Sequence, residues 1–243
     1  MTIALLMLSA VAAGLVRGFT GFGAGLVLAP ALGLLIGPAR AIPVLVLLDA
    51  IAGVQLLPSA ARRADWRRTL LLAAAAAVGI PAGATLLVSI DPAIVQRALS
   101  VVVLVFVAVL ASGWRYRGTP GVVATGFAGG LSGLLTGFAG IGGPPVVLLH
   151  LLGPDEAAAS RANLIAYFFL SQLLALLSFG FHSLLSPAVL RDAAFLAPAF
   201  LISLHLGGRW FARAPERAYR GAALGVLTAV AILGLWLAPM AAP

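Results

Sequence analysis

The stretch GFTGFGAG, residues 18–25, lies inside a segment in which nearly every other residue is Leu, Ala or Val. A similar stretch, TGFAGIGG, follows at residues 136–143 inside a second segment of the same kind. Glycine is among the least helix-favouring residues, so each stretch predicts a break in a segment that is otherwise helical. Two breaks at corresponding places indicate a repeated architecture.

The composition is that of a membrane protein. Of the 243 residues, 62% are hydrophobic and 9% are charged, and the mean hydropathy of +1.13 lies far above that of a soluble domain. Apolar runs fill nearly the whole length, which leaves no room for a separate aqueous domain. The chain has no Cys and therefore no disulfide framework.

Six apolar segments are long enough to cross a hydrocarbon core of about 30 Å, which takes roughly 20 helical residues. These predicted crossings run over about 41–60, 67–89, 92–112, 157–180, 188–209 and 217–238.

The two remaining segments, 2–36 and 119–153, are each cut near the middle by a glycine-rich stretch. Each arm that remains has about 15 residues and would extend only about 22 Å as a helix. We therefore expect two hairpins that enter the membrane and return. Irregular backbone at that depth is tolerated where it is buried in protein or lines a wet cavity.

The positive charge supports this count of crossings. Loops 61–68 and 114–117 and the stretch 209–220 carry ten of the fifteen Arg residues, which predicts that all three are cytoplasmic. The stretch 209–220 is cytoplasmic only if segment 119–153 returns to the side of the membrane from which it entered. Since the net charge of +8 falls mostly in these loops, it indicates membrane topology, and no nucleic-acid partner is expected.

The halves of the chain match each other. TGF at 20–22 corresponds to TGF at 136–138, and GP at 37–38 corresponds to GP at 153–154. Each half, 1–116 and 117–243, then contains a hairpin and three crossings, and an odd number of crossings inverts the second half. The predicted fold is an all-α polytopic membrane protein with two inverted-topology repeats, a pattern typical of secondary transporters.

Two longer stretches, GLVRGFTGFGAGLVLAPAL (14–32) and GLSGLLTGFAGIGGPPVVLLHLLG (130–153), resemble the sulfite exporter TauE/SafE family of permeases, also called TSUP. The first copy departs from the family in having Ala24 where a fuller glycine run is common. The resemblance implies a multi-pass permease of the bacterial inner membrane. It implies sulfite, thiosulfate or organosulfonates such as sulfoacetate as substrates, and it implies no cofactor.

The hairpin tips are the candidate substrate-binding site. Glycine lets the backbone approach a ligand, while a Thr hydroxyl can bind an oxyanion or cap a helix, and both roles stay open. The tip candidates are Thr20, Gly21, Phe22, Gly23, Gly25, Thr136, Gly137, Phe138, Gly140, Gly142 and Gly143.

Polar residues within the apolar segments are further candidates. Arg17 offers a fork for an oxyanion, or extends to the interface. Asp49 is a candidate for proton or cation coupling, or the partner of a buried Arg. Gln55, Asn163 and Gln172 are candidates for a polar cavity, with interhelical hydrogen bonding as the alternative.

A secondary transporter working by alternating access is the leading interpretation. The alternatives are an anion channel and a non-catalytic integral subunit of a larger complex. No catalytic set and no metal-ligand spacing is present, so an enzyme is not expected. The expected partners are a small anion, the lipid bilayer and a coupling proton or cation, with a homo-oligomer left open. Isolated glycines such as Gly79 and Gly83 are interpreted as helix-packing residues.

Overall fold

The computed structural model describes residues 2–95, positions 97, 98, 101, 105 and 108, and residues 121–151 and 156–213. All regular structure in these ranges is helical. The predicted crossing at 217–238 lies outside the described residues, as do most of the crossing at 92–112 and the loop 114–117.

Eight helices are described in full. They are α1 (Thr2–Thr20), α2 (Ala24–Ile36), α3 (Pro38–Ala60), α4 (Trp66–Ser89), α5 (Val122–Ala139), α6 (Gly143–Leu151), α7 (Ala157–Phe181) and α8 (Pro187–Arg213). All but α2 and α6 are long and apolar enough to cross a membrane. The chain is thus an all-helical multi-pass membrane protein, and four predicted crossings agree with α3, α4, α7 and α8 to within four residues.

Both predicted helix breaks are present. The first separates α1 from α2 and the second separates α5 from α6. Gly21, Gly23 and Gly140 have φ angles of 80°, 89° and 66°, in the left-handed region that side chains rarely adopt. Glycine is therefore required for the backbone to turn at these three positions.

The expectation of short arms on both sides of each break is wrong for the first arms. Helix α1 has 19 residues and α5 has 18, which corresponds to about 27–29 Å, close to the thickness of the bilayer core. The second arm α2 has 13 residues. The first arms are longer than predicted because the helices continue into the glycine-rich stretches, to Thr20 and to Ala139. Gly18 and Gly137, the glycines of these extensions, pack closely against a neighbouring backbone.

Helix α1 packs in parallel along α8. A Cβ at Gly14 would overlap the Phe200 carbonyl oxygen, and a Cβ at Gly18 would overlap the Leu204 carbonyl oxygen. Such close approach of two backbones is the usual role of small residues between membrane helices. The hairpin formed by α1 and α2 thus lies against a crossing from the other half of the chain.

Helix α5 packs in the same way along α4. A Cβ at Gly133 would overlap the Ala76 backbone, and a Cβ at Gly137 would overlap the Ile80 carbonyl oxygen. On the facing helix, Gly79 and Gly83 lie equally close to the backbone of α5, which confirms their interpretation as packing residues. Each hairpin therefore packs on the second crossing of the opposite half.

Contacts between helix ends fix the direction of each hairpin. Arg40 and Asp192 form an ion pair at 2.6 Å that joins the starts of α3 and α8. The Asp65 N–H donates to Asn163 Oδ1 at 2.6 Å, which joins the starts of α4 and α7. Helix α2 leads directly into the start of α3, and α6 leads towards the start of α7. Each hairpin thus enters and leaves at one end of the bundle, and the two use opposite ends.

Candidate functional site

A small cavity lies where the two helix breaks meet. Its volume is about 20 Å³, room for about one water molecule. It is lined by Phe22, Gly23, Gly25, Leu26, Asp49, Gly140, Ile141, Gly142, Gly143, Phe168 and Gln172. Asp49 lies at the middle of α3 and Phe168 lies next to the middle of α7. The cavity is therefore halfway along the crossings that surround it, and it is called the central cavity below.

The two breaks touch each other across this cavity. A Cβ at Gly25 would lie 2.5 Å from the Gly140 carbonyl oxygen, so any side chain at Gly25 would push the breaks apart. Residues 22–26 of the first break and 140–143 of the second therefore lie side by side around the cavity. The pairing explains why glycine occurs on both sides of the contact.

The N-terminal ends of two helices line the central cavity. Gly25 belongs to the first turn of α2, and Gly143 is the first residue of α6. The first N–H groups of a helix have no partner within the helix, and the helix dipole makes that end positive. Because Pro144 and Pro145 have no N–H, α6 offers its donors at Gly142 and Gly143. Two such ends at one cavity form an environment suited to an anion.

A buried ion pair borders the cavity, with Asp49 in the lining and Arg17 behind it. Arg17 is completely buried, and its Nε donates to Asp49 Oδ1 at 2.6 Å. The second carboxylate oxygen of Asp49 accepts from Gln172 Nε2 at 2.9 Å. Arg17 Nη1 also donates to the Gly21 carbonyl oxygen, and its guanidinium carbon lies 5.0 Å from the centre of the Phe168 ring. Arg17 therefore does not extend to an interface, and Asp49 is its partner.

Two polar atoms of this cluster have no partner among the described residues. They are Arg17 Nη2, a donor, and Gln172 Oε1, an acceptor, and both are buried. An unpaired buried polar group costs about 1–3 kcal/mol, so such atoms are usually hydrogen-bonded to protein, water or ligand. The cluster thus has hydrogen-bonding capacity that the described part of the chain does not use.

The first break is held by side chains on both sides. The Thr20 hydroxyl lies 2.8 Å from the Val16 carbonyl oxygen and 2.7 Å from that of Phe22, and it accepts from the Phe22 N–H at 3.2 Å. From α7, Arg161 donates to the carbonyl oxygens of Gly18, at 2.6 Å, and Phe19, at 3.1 Å. Arg161 thus binds the last carbonyls of α1, which a helix end leaves unpaired.

The second break is held by hydroxyl groups. The Ser132 hydroxyl donates to the Gly142 carbonyl oxygen and accepts from the Tyr167 hydroxyl at 2.7 Å. The Thr136 hydroxyl donates to the Ser132 carbonyl oxygen at 2.8 Å. Both candidate Thr hydroxyls, Thr20 and Thr136, therefore bind backbone near their own break.

The structure divides the candidate residues into two groups. Eight line the central cavity: Phe22, Gly23, Gly25, Gly140, Gly142, Gly143, Asp49 and Gln172. The other eight lie outside its lining: Arg17, Thr20, Gly21, Gln55, Thr136, Gly137, Phe138 and Asn163.

The second group has other contacts. Gly137 packs on the backbone of α4, and Gly21 lies against the Arg161 side chain. Phe138 is buried in the core. Asn163 accepts from the backbone of Asp65, and Gln55 lines a second, larger cavity.

Four residues of the site were not identified from the sequence. Leu26, Ile141 and Phe168 line the cavity but carry no polar group that marks them in an apolar chain. The fourth, Arg161, is a charged residue inside the predicted crossing 157–180, and that position was the available signal.

The family model described as sulfite exporter TauE/SafE matches residues 6–234. The chain belongs to the TauE/SafE sulfite exporter family. The family is one of membrane permeases that transport sulfur anions. A search of the curated proteins and of the solved structures gives no significant match. Within the described ranges, no group of three or more His, Cys, Asp or Glu residues is placed to hold a metal ion.

Proposed function

We propose that this TauE/SafE protein is a secondary transporter for small sulfur oxyanions, with its binding site at the central cavity. The observation that carries the proposal is that the N-terminal ends of α2 and α6 line one cavity midway along the crossings. Each end contributes about half a positive charge and unpaired N–H donors. Sulfite, thiosulfate and sulfoacetate all present the anionic oxygens that such donors bind.

The ion pair between Arg17 and Asp49 makes the site selective for an anion. The Asp49 carboxylate alone would repel an anion, but Arg17 neutralises it at 2.6 Å. The two helix ends then leave a net positive environment around the cavity. Arg17 lies outside the cavity lining, and its donor Nη2, which has no partner among the described residues, would reach a substrate oxygen once the two breaks move apart.

The size of the cavity supports a mechanism of alternating access. Room for one water is too little for sulfite, which has four heavy atoms, so substrate enters only when the two breaks move apart. Each hairpin packs on a helix of the opposite half, so a rocking motion of one half against the other would carry a hairpin with it. Two inverted repeats, 1–116 and 117–243, would provide this motion.

Asp49 is the proposed coupling residue. Its oxygens accept from Arg17 and from Gln172. Protonation of the carboxylate, or the approach of a cation, would weaken the bond to Arg17 and release the guanidinium towards the substrate. Transport would then depend on the proton or cation gradient. The proposed location is the bacterial inner membrane, with loop 61–68 and the end of α8 in the cytoplasm.

The test is uptake of labelled sulfite, thiosulfate and sulfoacetate into vesicles reconstituted with the purified protein, under a pH gradient or a membrane potential. We expect saturable flux of at least one anion. Absence of flux for all three under both gradients would refute the proposal. Unsaturable flux far above carrier rates would favour the channel alternative.

A matched pair of glycine variants tests the site. A Cβ at Gly143 would lie 3.6 Å from Phe168 Cζ, so Gly143→Ala fits without overlap and places a methyl group in the cavity. A Cβ at Gly130 would lie 3.9 Å from the Ala75 carbonyl oxygen, so Gly130→Ala fits equally well away from the cavity. We expect strongly reduced flux for the first variant and unchanged flux for the second. Equal flux for the two variants would show that the substrate does not bind in the central cavity.

A further inference from the structure

A second, larger cavity lies between α3, α7 and α8. Its volume is about 340 Å³, and we call it the outer cavity. It is lined by Gln55, Leu56, Ser59, Arg161, Leu204, His205, Gly208, Arg209, Phe211 and Ala212. These lining residues include two Arg residues and no acid, so the walls contributed by the described part of the chain are net positive.

The outer cavity opens at one end of the bundle. Its walls come from the end of α3, the start of α7 and the end of α8, and His205 and Arg209 are exposed. The Arg-rich loop 61–68 follows directly on α3. This is therefore the end that the distribution of Arg residues assigns to the cytoplasm.

The first helix break separates the outer cavity from the central one. Arg161 lines the outer cavity and donates to the carbonyl oxygens of Gly18 and Phe19. On the other side of the same break, Arg17 donates to the Gly21 carbonyl oxygen and pairs with Asp49, which lines the central cavity. Both Arg residues therefore hold one short segment, 18–21, that divides the two cavities.

We propose that the outer cavity is a second oxyanion site, which takes the sulfur oxyanion at Arg161 and Arg209 on the cytoplasmic side of the central cavity. The proposal rests on the function proposed above and adds a second binding site for the transported anion. Arg guanidinium groups bind oxyanions with paired donors, and positive cavity walls raise the local concentration of an anion. Gln55 and Ser59 supply further polar groups on the same wall.

Arg161 links occupancy of the outer site to the first break. Its guanidinium is shared among the two carbonyls of α1 and the ring of Phe211, whose centre lies 4.3 Å from the guanidinium carbon. An anion that binds Arg161 competes with those carbonyls for its N–H donors. Anion binding in the outer cavity thus loosens the segment that closes the path to the central cavity.

The test compares two charge removals on one helix. Arg209 lines the outer cavity, whereas Arg213, one turn further along α8, is exposed and does not line it. Equilibrium dialysis of purified protein against sulfur-35-labelled sulfite should show binding about three- to fivefold weaker for Arg209→Gln, as expected for one exposed charge pair. Arg213→Gln should bind as the unmodified protein does, and equal affinity for both variants would overturn the proposal.

Flux measurements separate this proposal from the proposed function. In vesicles, Arg209→Gln should raise the KM for sulfite by the same factor and leave the maximal rate unchanged. If Arg209→Gln and Arg213→Gln have the same KM for sulfite and the same affinity in equilibrium dialysis, the outer site alone is overturned. Unmodified protein that transports none of the three anions, but binds sulfite in a manner dependent on Arg209, would refute the function and retain the outer site.

A lipid phosphate offers the same oxyanion chemistry as the substrate. The flux measurements are therefore made in vesicles of phosphatidylcholine and in vesicles containing phosphatidylglycerol. The proposal expects the KM effect of Arg209→Gln in both. An effect confined to phosphatidylglycerol vesicles would assign the outer cavity to a lipid headgroup and overturn the proposal.

Discussion

Replacing Asp49 by Asn should destabilise the protein strongly, because it leaves the Arg17 charge buried without a counter-charge. The pair is 2.6 Å apart, and the two side chains are 0% and 7% exposed. Two opposite charges at about 4 Å interact by about 4 kcal/mol at an effective dielectric constant of about 20. Loss of one partner of a buried pair costs about 3–5 kcal/mol. We therefore expect Asp49→Asn to lower the free energy of unfolding by this amount.

The double variant Arg17→Met with Asp49→Leu distinguishes a charge effect from a packing effect. It removes both charges and retains apolar volume, so its loss of stability should be much smaller than the sum of the single losses. We expect an interaction energy of at least about 2 kcal/mol in this double-mutant cycle.

The assay is equilibrium unfolding in detergent micelles, followed by fluorescence of the four Trp residues. All variants are measured at one pH and one salt concentration, since charge interactions depend on both. A loss below about 1 kcal/mol for Asp49→Asn would place the pair in the energetic range of surface ion pairs and refute the reasoning. Additive losses in the cycle would refute it as well.

Three further substitutions test other parts of the fold by the same unfolding measurement. Thr20→Val should lower the free energy of unfolding by about 1–3 kcal/mol because it leaves the Phe22 N–H without its acceptor, whereas equal losses for Thr20→Val and Thr20→Ser would refute the capping role. Gly133→Val should prevent the protein from reaching a folded membrane-inserted state, since its side chain would overlap the Ala76 backbone, and a normal yield of monodisperse protein would contradict that packing. Arg40→Gln should cost no more than about 1 kcal/mol, because the Arg40 side chain is 38% exposed, and a larger loss would show that the pair is shielded from water.

Local chemistry explains why much of the fold is predictable from the sequence. Hydropathy and length identify the crossings α3, α4, α7 and α8, since a membrane helix has to be apolar over its own length. The glycine-rich stretches predict both breaks, because a left-handed backbone at Gly23 or Gly140 requires glycine whatever the surroundings. The resemblance to the TauE/SafE family also rests on these glycine-rich stretches. The first arms are longer than predicted because local propensity does not include a neighbouring helix that holds Gly18 or Gly137 in a helical conformation.

Only the tertiary structure decides what each polar or small residue contacts. Gly137 and Gly143 belong to the same glycine-rich stretch, yet one packs on α4 and the other lines the central cavity. Arg161 binds carbonyl oxygens 142 and 143 residues away, a contact that no local pattern encodes. The sequence alone left Asp49 either as a coupling residue or as the partner of a buried Arg, and the fold shows the pairing with Arg17. The physical reason is that these contacts depend on which helix faces meet, and only packing of the whole bundle determines that.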